Sequence, residues 1–274
     1  MFLPTDVVDY ILSFLQSDIT TLDTCSRSHP TLSKLSEHYI YAKVTLHNDN
    51  CIVNPDGLTK EISKFAQIIA KNPNIAKHVR NLKVYVDNID PKKYKATAAY
   101  LNNVASMLPT FSRLKKITLS GFGSRSCMSW HTLPVTFYQA FQHLLRVQCM
   151  EDVSILYARF LPLSLLNDCK TLRLTLHSCL VIQYDKGSIE DQPYQPLEHL
   201  SIQYCLYKEM EKITSWVQLR SLRSLRVTLH EQSEFKNFLP QLLAACSSTL
   251  IKLDLGIAYL CMFTSVEFHF FQAD

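Results

Sequence analysis

Apolar residues in the first 46 positions recur with the period of an α-helix. From Leu3-Pro4 to Leu15 they return every three or four residues, which places them along one helical face. Asp18 is a typical cap for a second helix, and that helix is expected to end at His29-Pro30, because the residue before a proline disfavours the helical conformation. The pattern therefore predicts three short helices, the third of which begins at Pro30.

The predicted helices leave part of their apolar surface without a partner. The first stripe comprises Val7, Val8, Ile11, Leu12 and Leu15, the second Ile19, Leu22 and Cys25, and the third Leu32, Leu35 and Tyr39. Three short helices are too few to close a core, so we expect part of this surface to contact something else. A docking module leaves such a patch in water, whereas a cap over the following domain buries it.

A short apolar frame recurs along the remainder of the chain. Its form is apolar-x-x-apolar-x-apolar, and successive first positions lie 35, 30, 25, 28, 25 and 28 residues apart. Leucine-rich repeats have periods of about 20 to 29 residues, so the later steps fit and the first two predict longer insertions. The frames are Val79-Leu82-Val84, Leu114-Ile117-Leu119, Leu144-Val147-Cys149, Cys169-Leu172-Leu174, Leu197-Leu200-Ile202, Leu222-Leu225-Val227 and Leu250-Leu253-Leu255.

Helical patterns lie before and between these frames. A polar linker from His47 to Thr59 precedes a predicted helix over 62–69, which ends at Asn72-Pro73. The later patterns are Ala98, Leu101, Ala105 and Leu108; Val135, Ala140 and Phe141; Val153, Leu156 and Phe160; Met210, Ile213 and Val217; and Phe235, Phe238, Leu239 and Leu242. Each strand and helix pair cannot bury its apolar side alone, so neighbouring pairs are predicted to stack into one core.

Alternation along each predicted strand sends the frame residues inward and the residues between them outward. In a curved repeat array the outward row lines the concave surface, which is where such proteins usually bind. The candidate binding face comprises Lys83, Tyr85, Arg173, Thr175, Ser201, Gln203, Arg226 and Thr228.

Composition places the chain among globular intracellular proteins. Its 47% hydrophobic and 19% charged residues describe a well-buried chain, and the net charge of +4 demands neither nucleic acid nor an anionic membrane. Nine cysteines form no paired framework, which favours a reducing compartment. No run of 18 apolar residues is present, and the N-terminus lacks the basic region of a signal peptide. We therefore expect a cytoplasmic or nuclear protein that contacts neither membrane nor nucleic acid.

Sequence motifs for catalysis, cofactors and metals are not found. Gly121-Phe122-Gly123 lacks the third glycine of a dinucleotide fingerprint and is interpreted as a turn after a strand. Cys25 with His29, and His177 with Cys179, are isolated pairs rather than the ligand clusters of zinc sites. We therefore predict a protein that is not an enzyme and has no catalytic, cofactor or metal residues. A deep pocket with convergent titratable groups would favour an enzyme instead.

The N-terminal pattern resembles the F-box, a three-helix module that docks onto the Skp-type adaptor of cullin–RING ubiquitin ligases. The resemblance is carried by Leu3-Pro4, the pairs Val7-Val8 and Ile11-Leu12, and the single positions Leu15, Leu22 and Cys25. The chain departs from the family at His29 and Leu32, where many members have a second cysteine and a tryptophan.

This resemblance implies a substrate-recognition subunit of a Skp–cullin–F-box ligase, with an unknown target protein held by the repeats. It implies an α/β fold in which a three-helix F-box (1–46), a linker and connecting helix (47–78) and an irregular leucine-rich-repeat solenoid of alternating strands and helices (79–274) follow one another. Many fungal F-box proteins have this organisation, and Cys179 and Cys205 follow their strands where regular repeats have an asparagine or cysteine. The implied adaptor contacts are Leu3, Pro4, Val7, Val8, Ile11, Leu12, Leu15 and Leu22.

Two alternatives remain open from the residues alone. The N-terminal helices can instead cap a leucine-rich-repeat scaffold that works outside any ligase, and the repeats can instead form an ordinary layered α/β domain with a parallel sheet. The polar stretch 184–196 is interpreted as a surface loop, either tolerated or functional. The alternating apolar stretch 266–271 predicts a final strand with an uncapped edge, from which we expect the chain to be truncated at this end.

Overall fold

The structure is a computed structural model of the 274-residue chain. It describes residues 3–47, 51–53, 59–86, 94–122, 127–147, 150–162, 164–165, 171–182, 197–205, 208, 210–211, 221–229, 232–259 and 262–269. The chain divides into two compact units, one formed by residues 1–117 and 133–144 and the other by residues 118–132 and 145–274.

The first unit opens with the three predicted helices, α1 (Thr5–Ser13), α2 (Ile19–Ser28) and α3 (Pro30–Ile40). Asp18 caps α2, because its carboxylate accepts hydrogen bonds from the Thr21 backbone N–H at 3.0 Å and from the Thr21 hydroxyl at 2.7 Å. Pro30 begins α3, where a proline loses no helical hydrogen bond. The small core between these helices comprises Leu12, Ile19, Leu22 and Ile40.

The rest of the first unit combines a small mixed sheet with three helices. Strand β1 (Lys43–Leu46) pairs parallel with β4 (Asn81–Val86) and antiparallel with β2 (Cys51–Val53), which in turn pairs with β3 (Thr59–Lys60). The helices are α4 (Ile62–Lys71), α5 (Tyr94–Met107) and α6 (Val135–Val147), which confirms the three helical patterns predicted there. Short 3-10 turns occupy Ile75–His78 and Leu108–Thr110. The largest fully buried side chains in this core are Phe65, Phe111, Phe137 and Phe141.

Strand β1 was not predicted, and the segment 47–59, predicted as a polar linker, carries strand β2 and the first residue of β3. In β1 only Val44 and Leu46 are buried, in register with Leu82 and Val84 of β4. Two alternating apolar residues are too short a pattern to distinguish a strand from the end of the preceding helix. The four residues of β1 therefore belong to the sheet, although they lie within the 1–46 range that resembles an F-box.

The second unit is built on a parallel sheet. Its neighbouring strands are β7 (Met150–Leu156), β10 (Thr171–His177), β12 (His199–Gln203), β13 (Ser224–Leu229) and β14 (Lys252–Tyr259). Strand β15 (Met262–His269) pairs antiparallel with β14 and confirms the final strand predicted from the apolar alternation. Helix α7 (Gln232–Cys246) joins β13 to β14, as its pattern predicted.

Several short elements complete the second unit. Strand β5 (Lys116–Gly121) begins in the first unit and continues into the second after residue 117. A 3-10 turn occupies Trp130–Thr132. Strand β6 (Met128–Ser129) pairs with β8 (Ala158–Arg159), and β9 (Leu161–Pro162) pairs with β11 (Val181–Ile182). These pieces follow the carboxyl ends of the longer strands.

Two continuous aliphatic rows form the buried face of this sheet. Register partners on successive strands give one row of Val153, Leu174, Leu200, Leu225 and Leu253, and a second row of Ile155, Leu176, Ile202, Val227 and Leu255. All ten side chains are buried. The recurrent frame thus predicts both the strands and the side that faces the core.

Two of the seven frames were placed incorrectly. Leu144 and Val147 lie in helix α6, where Val147 is 63% exposed, and the strand that follows uses Met150-Val153-Ile155 instead. That strand also replaces the helix predicted from Val153, Leu156 and Phe160. Both segments match the same degenerate frame six residues apart, so the frame alone does not choose between them.

The fourth frame is displaced by two residues. Thr171, Leu174 and Leu176 are buried in β10, whereas Leu172 is exposed. The Thr171 hydroxyl contacts both the N–H and the carbonyl of Arg173. The first position of this frame is a polar residue, so an apolar pattern does not match it and selects Cys169-Leu172-Leu174 instead. Cys149, Cys169, the loop 184–196 and most of the pattern from Met210 to Val217 lie outside the described residues.

Candidate functional site

Helix α1 carries an apolar face that is open to solvent. Val7 and Ile11 of the predicted stripe are exposed, and so is Leu3 just before the helix. Tyr10 and Phe14 are exposed beside them, Phe14 at 67%, and their rings meet edge to face at 4.8 Å. We call these five residues the α1 face. Soluble proteins rarely leave such a patch uncovered without an interaction to make.

The predicted adaptor contacts separate into two layers. Leu3, Pro4, Val7 and Ile11 are exposed, and Val8 and Leu15 are half-buried. Leu12 and Leu22, by contrast, are 3% and 0% exposed and lie in the core of the three helices. Leu12 and Leu22 therefore present almost no accessible surface in this structure, and their direct contact with a partner stays a prediction. Leu12 shows that the first stripe is wide enough to serve both the core and the surface. These two residues support the α1 face from beneath.

Sequence reasoning missed Tyr10 and Phe14. Both fall outside the aliphatic stripe, but their spacing of four residues on a helix is the signal that joins them into one ring pair. With them the α1 face gains two large aromatic side chains, the kind that anchors many protein interfaces.

Helix α3 holds α1 in place through a polar contact. The Tyr39 hydroxyl donates towards the Asp9 carbonyl at 3.2 Å, and the His38 Nε2 lies 3.6 Å from the Asp9 carboxylate. Burial lowers the pKa of His38, while Asp9 acts in the opposite direction. The contact fixes the direction in which the α1 face points relative to α3.

The second candidate surface is the polar side of the parallel sheet in the second unit. Register partners form a first transverse row of Asp152, Arg173, His199, Ser224 and Lys252, and a second row of Ser154, Thr175, Ser201, Arg226 and Asp254. Most of these residues, with Glu198, Gln203 and Arg223, line a groove of about 680 Å³. We call this surface the sheet groove.

Charges of both signs meet in the sheet groove. The Arg226 Nε donates to the Asp254 carboxylate at 2.6 Å, which neutralises one pair across β13 and β14. His199 lies centrally, 3.9 Å from a Glu198 carboxylate oxygen. Burial lowers the pKa of His199 and the positive charge of Arg173 adds to this, while Glu198 opposes it. The imidazole is therefore mainly neutral near pH 7.

Five of the eight residues predicted for the binding face lie together in this groove, namely Arg173, Thr175, Ser201, Gln203 and Arg226. Thr228 was predicted as accessible but is buried, because its side chain packs against Gly256 on the next strand, where an added Cβ would lie 3.1 Å from the Thr228 hydroxyl oxygen. Lys83 and Tyr85 belong to the first unit, where the Lys83 ammonium lies 4.5 Å from the Tyr85 ring centre and Tyr85 stacks on His47.

Charged residues that were not predicted for the binding face lie inside the frames, between the first and the middle apolar position. His199 and Lys252 lie directly before the middle apolar residue of their frames. Glu198 and Arg223 lie two residues before the middle apolar residue of theirs. Counting outward positions on both sides of the middle residue would have found the first transverse row.

Three neighbouring strands are each followed by a turn of the same backbone conformation. Tyr157, Ser178 and Tyr204 have φ angles of 55°, 52° and 55°, a left-handed conformation that is uncommon for residues other than glycine. The next residue in each case is small and buried, and these residues are Ala158, Cys179 and Cys205. The Cys179 thiol reaches the Ile155 carbonyl at 3.3 Å. Burial raises the pKa of Cys179, which makes the thiol a packing group rather than a nucleophile.

An aromatic row accompanies these turns. The His177 ring lies 5.0 Å from the ring centre of Tyr157 and 4.8 Å from that of Tyr204. All three side chains are half-buried. They lie at the carboxyl ends of the strands, where Gln203, the register partner of His177, lines the sheet groove.

Among the described residues, no group of three or more histidine, cysteine, aspartate or glutamate side chains is placed to hold a metal ion. None of the helices in the described ranges has the length and apolar character needed to cross a bilayer. No protein-family model matches the sequence, and no curated protein matches it either.

Proposed function

We propose that this protein is an F-box-type substrate-recognition subunit of a Skp–cullin–F-box ubiquitin ligase. The observation that carries the proposal is the α1 face, a solvent-exposed apolar surface on a three-helix module whose own core is already closed by Leu12, Ile19, Leu22 and Ile40. A cap for the following domain would bury this face. A module that docks on a second protein needs it accessible.

The geometry of the second unit supports leucine-rich repeats as the target-binding part. The pattern of such repeats places an asparagine or cysteine three residues after the third apolar frame position. Cys179 and Cys205 occupy that position after Leu176 and Ile202, and Ala158 occupies it after Ile155. The turn recurs after three neighbouring strands, and the two aliphatic rows continue in register over five.

Proximity is the mechanism that this arrangement offers. A subunit that binds an adaptor through the α1 face and a target protein through the sheet groove raises the concentration of the target near the ubiquitin-charged enzyme. Such a gain requires no catalytic side chain on this chain.

Complex formation with purified components tests the proposal. The full chain is mixed with a Skp-type adaptor, and the mass of the product is measured by size-exclusion chromatography with light scattering. The proposal predicts a one-to-one complex that also recruits the cullin–RING pair. A folded chain that stays separate from the adaptor at micromolar concentration would contradict it and would favour a scaffold that works outside the ligase.

A further inference from the structure

Two arginines in the sheet groove have no carboxylate partner among the described residues. Arg173 and Arg223 are both exposed and line the groove, and neither takes part in an ion pair there. Arg226 differs from them, because its guanidinium is already paired with Asp254. The groove therefore holds two guanidinium groups available for an anionic ligand.

The two groups are spaced across the strands rather than gathered at one point. Arg173 lies on β10 and Arg223 directly precedes β13, with β12 between them. Neighbouring strands are about 4.8 Å apart, so the two backbones are separated by about 10 Å. This spacing suits two separate anionic groups on an elongated ligand.

We propose that the sheet groove binds an extended, acidic segment of a target protein, with aspartate or glutamate side chains on Arg173 and Arg223. The hydroxyl groups of Thr175 and Ser201 lie in the next row and offer hydrogen bonds to the backbone of such a segment. Alternate side chains of an extended peptide are about 7 Å apart, a distance that two flexible arginines can serve.

Carboxylates fit this groove better than phosphates or nucleic acid. Asp152, Glu198 and Asp254 stand among the cations, so a ligand with continuous or double negative charge would also meet three carboxylates. Single negative charges that alternate with neutral positions avoid this repulsion. The acidic segment is the class of target that we assign to the proposed function. Binding of this segment does not depend on that function, whereas ubiquitination of the bound target does.

Selection from a displayed library of random dodecapeptides on the immobilised full chain tests the inference. Charge reversal at both sites, Arg173→Glu with Arg223→Glu, removes the predicted contacts. Arg113→Glu with Arg159→Glu is the matched control, because these two arginines are exposed, lie outside the groove lining and change the net charge equally. Thermal unfolding of both variants verifies that they fold.

We expect the selected peptides to be enriched in aspartate and glutamate relative to the input library. A synthetic peptide from the enriched set should bind the groove variant at least about tenfold more weakly in fluorescence anisotropy, and the control variant within about twofold of the original chain. Arg173→Lys with Arg223→Lys keeps the charge but loses the planar fork, so it should bind with intermediate affinity.

Three results would overturn the inference. These are the absence of any selected binder, binders whose acidic content equals that of the input, and tighter binding of a 20-residue oligothymidylate than of the acidic peptide. Because the assay contains no adaptor and leaves the α1 face unchanged, its failure is distinct from a failure of the proposed docking. Conversely, the groove variant should still bind the Skp-type adaptor.

Discussion

The Arg226 Nε lies 2.6 Å from the Asp254 Oδ2, and the two residues are register partners on neighbouring parallel strands. Their side chains differ in exposure, since that of Arg226 is 55% accessible and that of Asp254 11%. Removal of either partner therefore leaves a different group behind. Without Asp254, the arginine side chain can rotate towards solvent and be hydrated. Without Arg226, the aspartate side chain stays largely buried and loses its charged partner.

This asymmetry predicts unequal effects on stability. Arg226→Gln should lower the free energy of unfolding by about 1 to 3 kcal/mol, because the buried carboxylate loses its charged partner. Asp254→Asn should cost about 0.5 to 1 kcal/mol, as expected for a partly exposed pair. Urea unfolding of the two single variants and the double variant measures both costs and the coupling between them. Equal costs, or additive ones, would argue against the pair as described.

The left-handed turn at Ser178 predicts a stabilising substitution. Its φ of 52° strains any residue with a Cβ, so Ser178→Gly should raise the free energy of unfolding by about 0.5 to 1 kcal/mol after the greater freedom of glycine in the unfolded chain is subtracted. Ser224→Gly is the matched control inside strand β13, where glycine should instead destabilise by about 0.5 to 1 kcal/mol. The same sign for both changes in thermal unfolding would contradict this account of the turn.

The half-buried histidine of the aromatic row predicts a pH dependence. Burial lowers the pKa of His177 below its ordinary value of about 6.5, although a hydrogen bond with Gln203 opposes the shift. Between the lowered and the ordinary value the unfolded chain binds more protons than the folded one, so the free energy of unfolding decreases as pH falls below 6.5.

His177→Gln should therefore reduce the loss of stability between pH 7.5 and about 5.5, as followed by urea midpoints at several pH values. The loss should not vanish, because burial also lowers the pKa of His38, His78 and His199. His143→Gln, at an exposed position on α6, is the control for the loss of a histidine side chain. An unaltered slope in His177→Gln would show that this ring does not contribute.

Cysteine reactivity follows from burial in the same way. Cys25 is half-buried on α2, whereas Cys179 is 1% exposed and burial raises its pKa. Iodoacetamide should therefore label Cys25 well before Cys179 in the folded protein, because the thiolate is the reactive form. Peptide mass spectrometry after timed labelling measures the two rates, and labelling in urea should make them similar. Comparable rates in the native protein would contradict the packing described for the strand ends.

Most helices and long strands could be predicted from the sequence, but the residue at which each one begins could not. Apolar periodicity was sufficient for the helices and for the buried rows, because a whole face of the sheet repeats the same side-chain class at the same register. The same frame occurs twice around Val147 and Val153, and the structure places the first copy in helix α6 and the second in strand β7. Thr171 shows a second case, in which a polar residue occupies the first frame position, so apolar periodicity alone places the frame two residues too early.

The candidate surfaces depended on information that periodicity does not hold. A helical stripe does not divide itself between core and solvent, so Ile11 and Leu12 look equivalent in the sequence although only Ile11 is exposed. The sheet groove likewise required strand register, which brings Asp152, Arg173 and His199 into one row from positions far apart in the chain.

Adaptor binding by a variant of the α1 face tests the central claim most directly. Ile11→Asp places a charge in the exposed apolar face without touching the core, and the burial of one aliphatic side chain contributes about 1.5 to 3 kcal/mol. Val135→Asp is the control, since Val135 is also an exposed aliphatic residue on a helix but lies on α6. Isothermal titration of the full chain with a purified Skp-type adaptor should show that Ile11→Asp weakens binding by more than about tenfold while Val135→Asp does not. Equal affinity of the Ile11→Asp variant and the original chain, or no binding by either, would contradict the proposed docking.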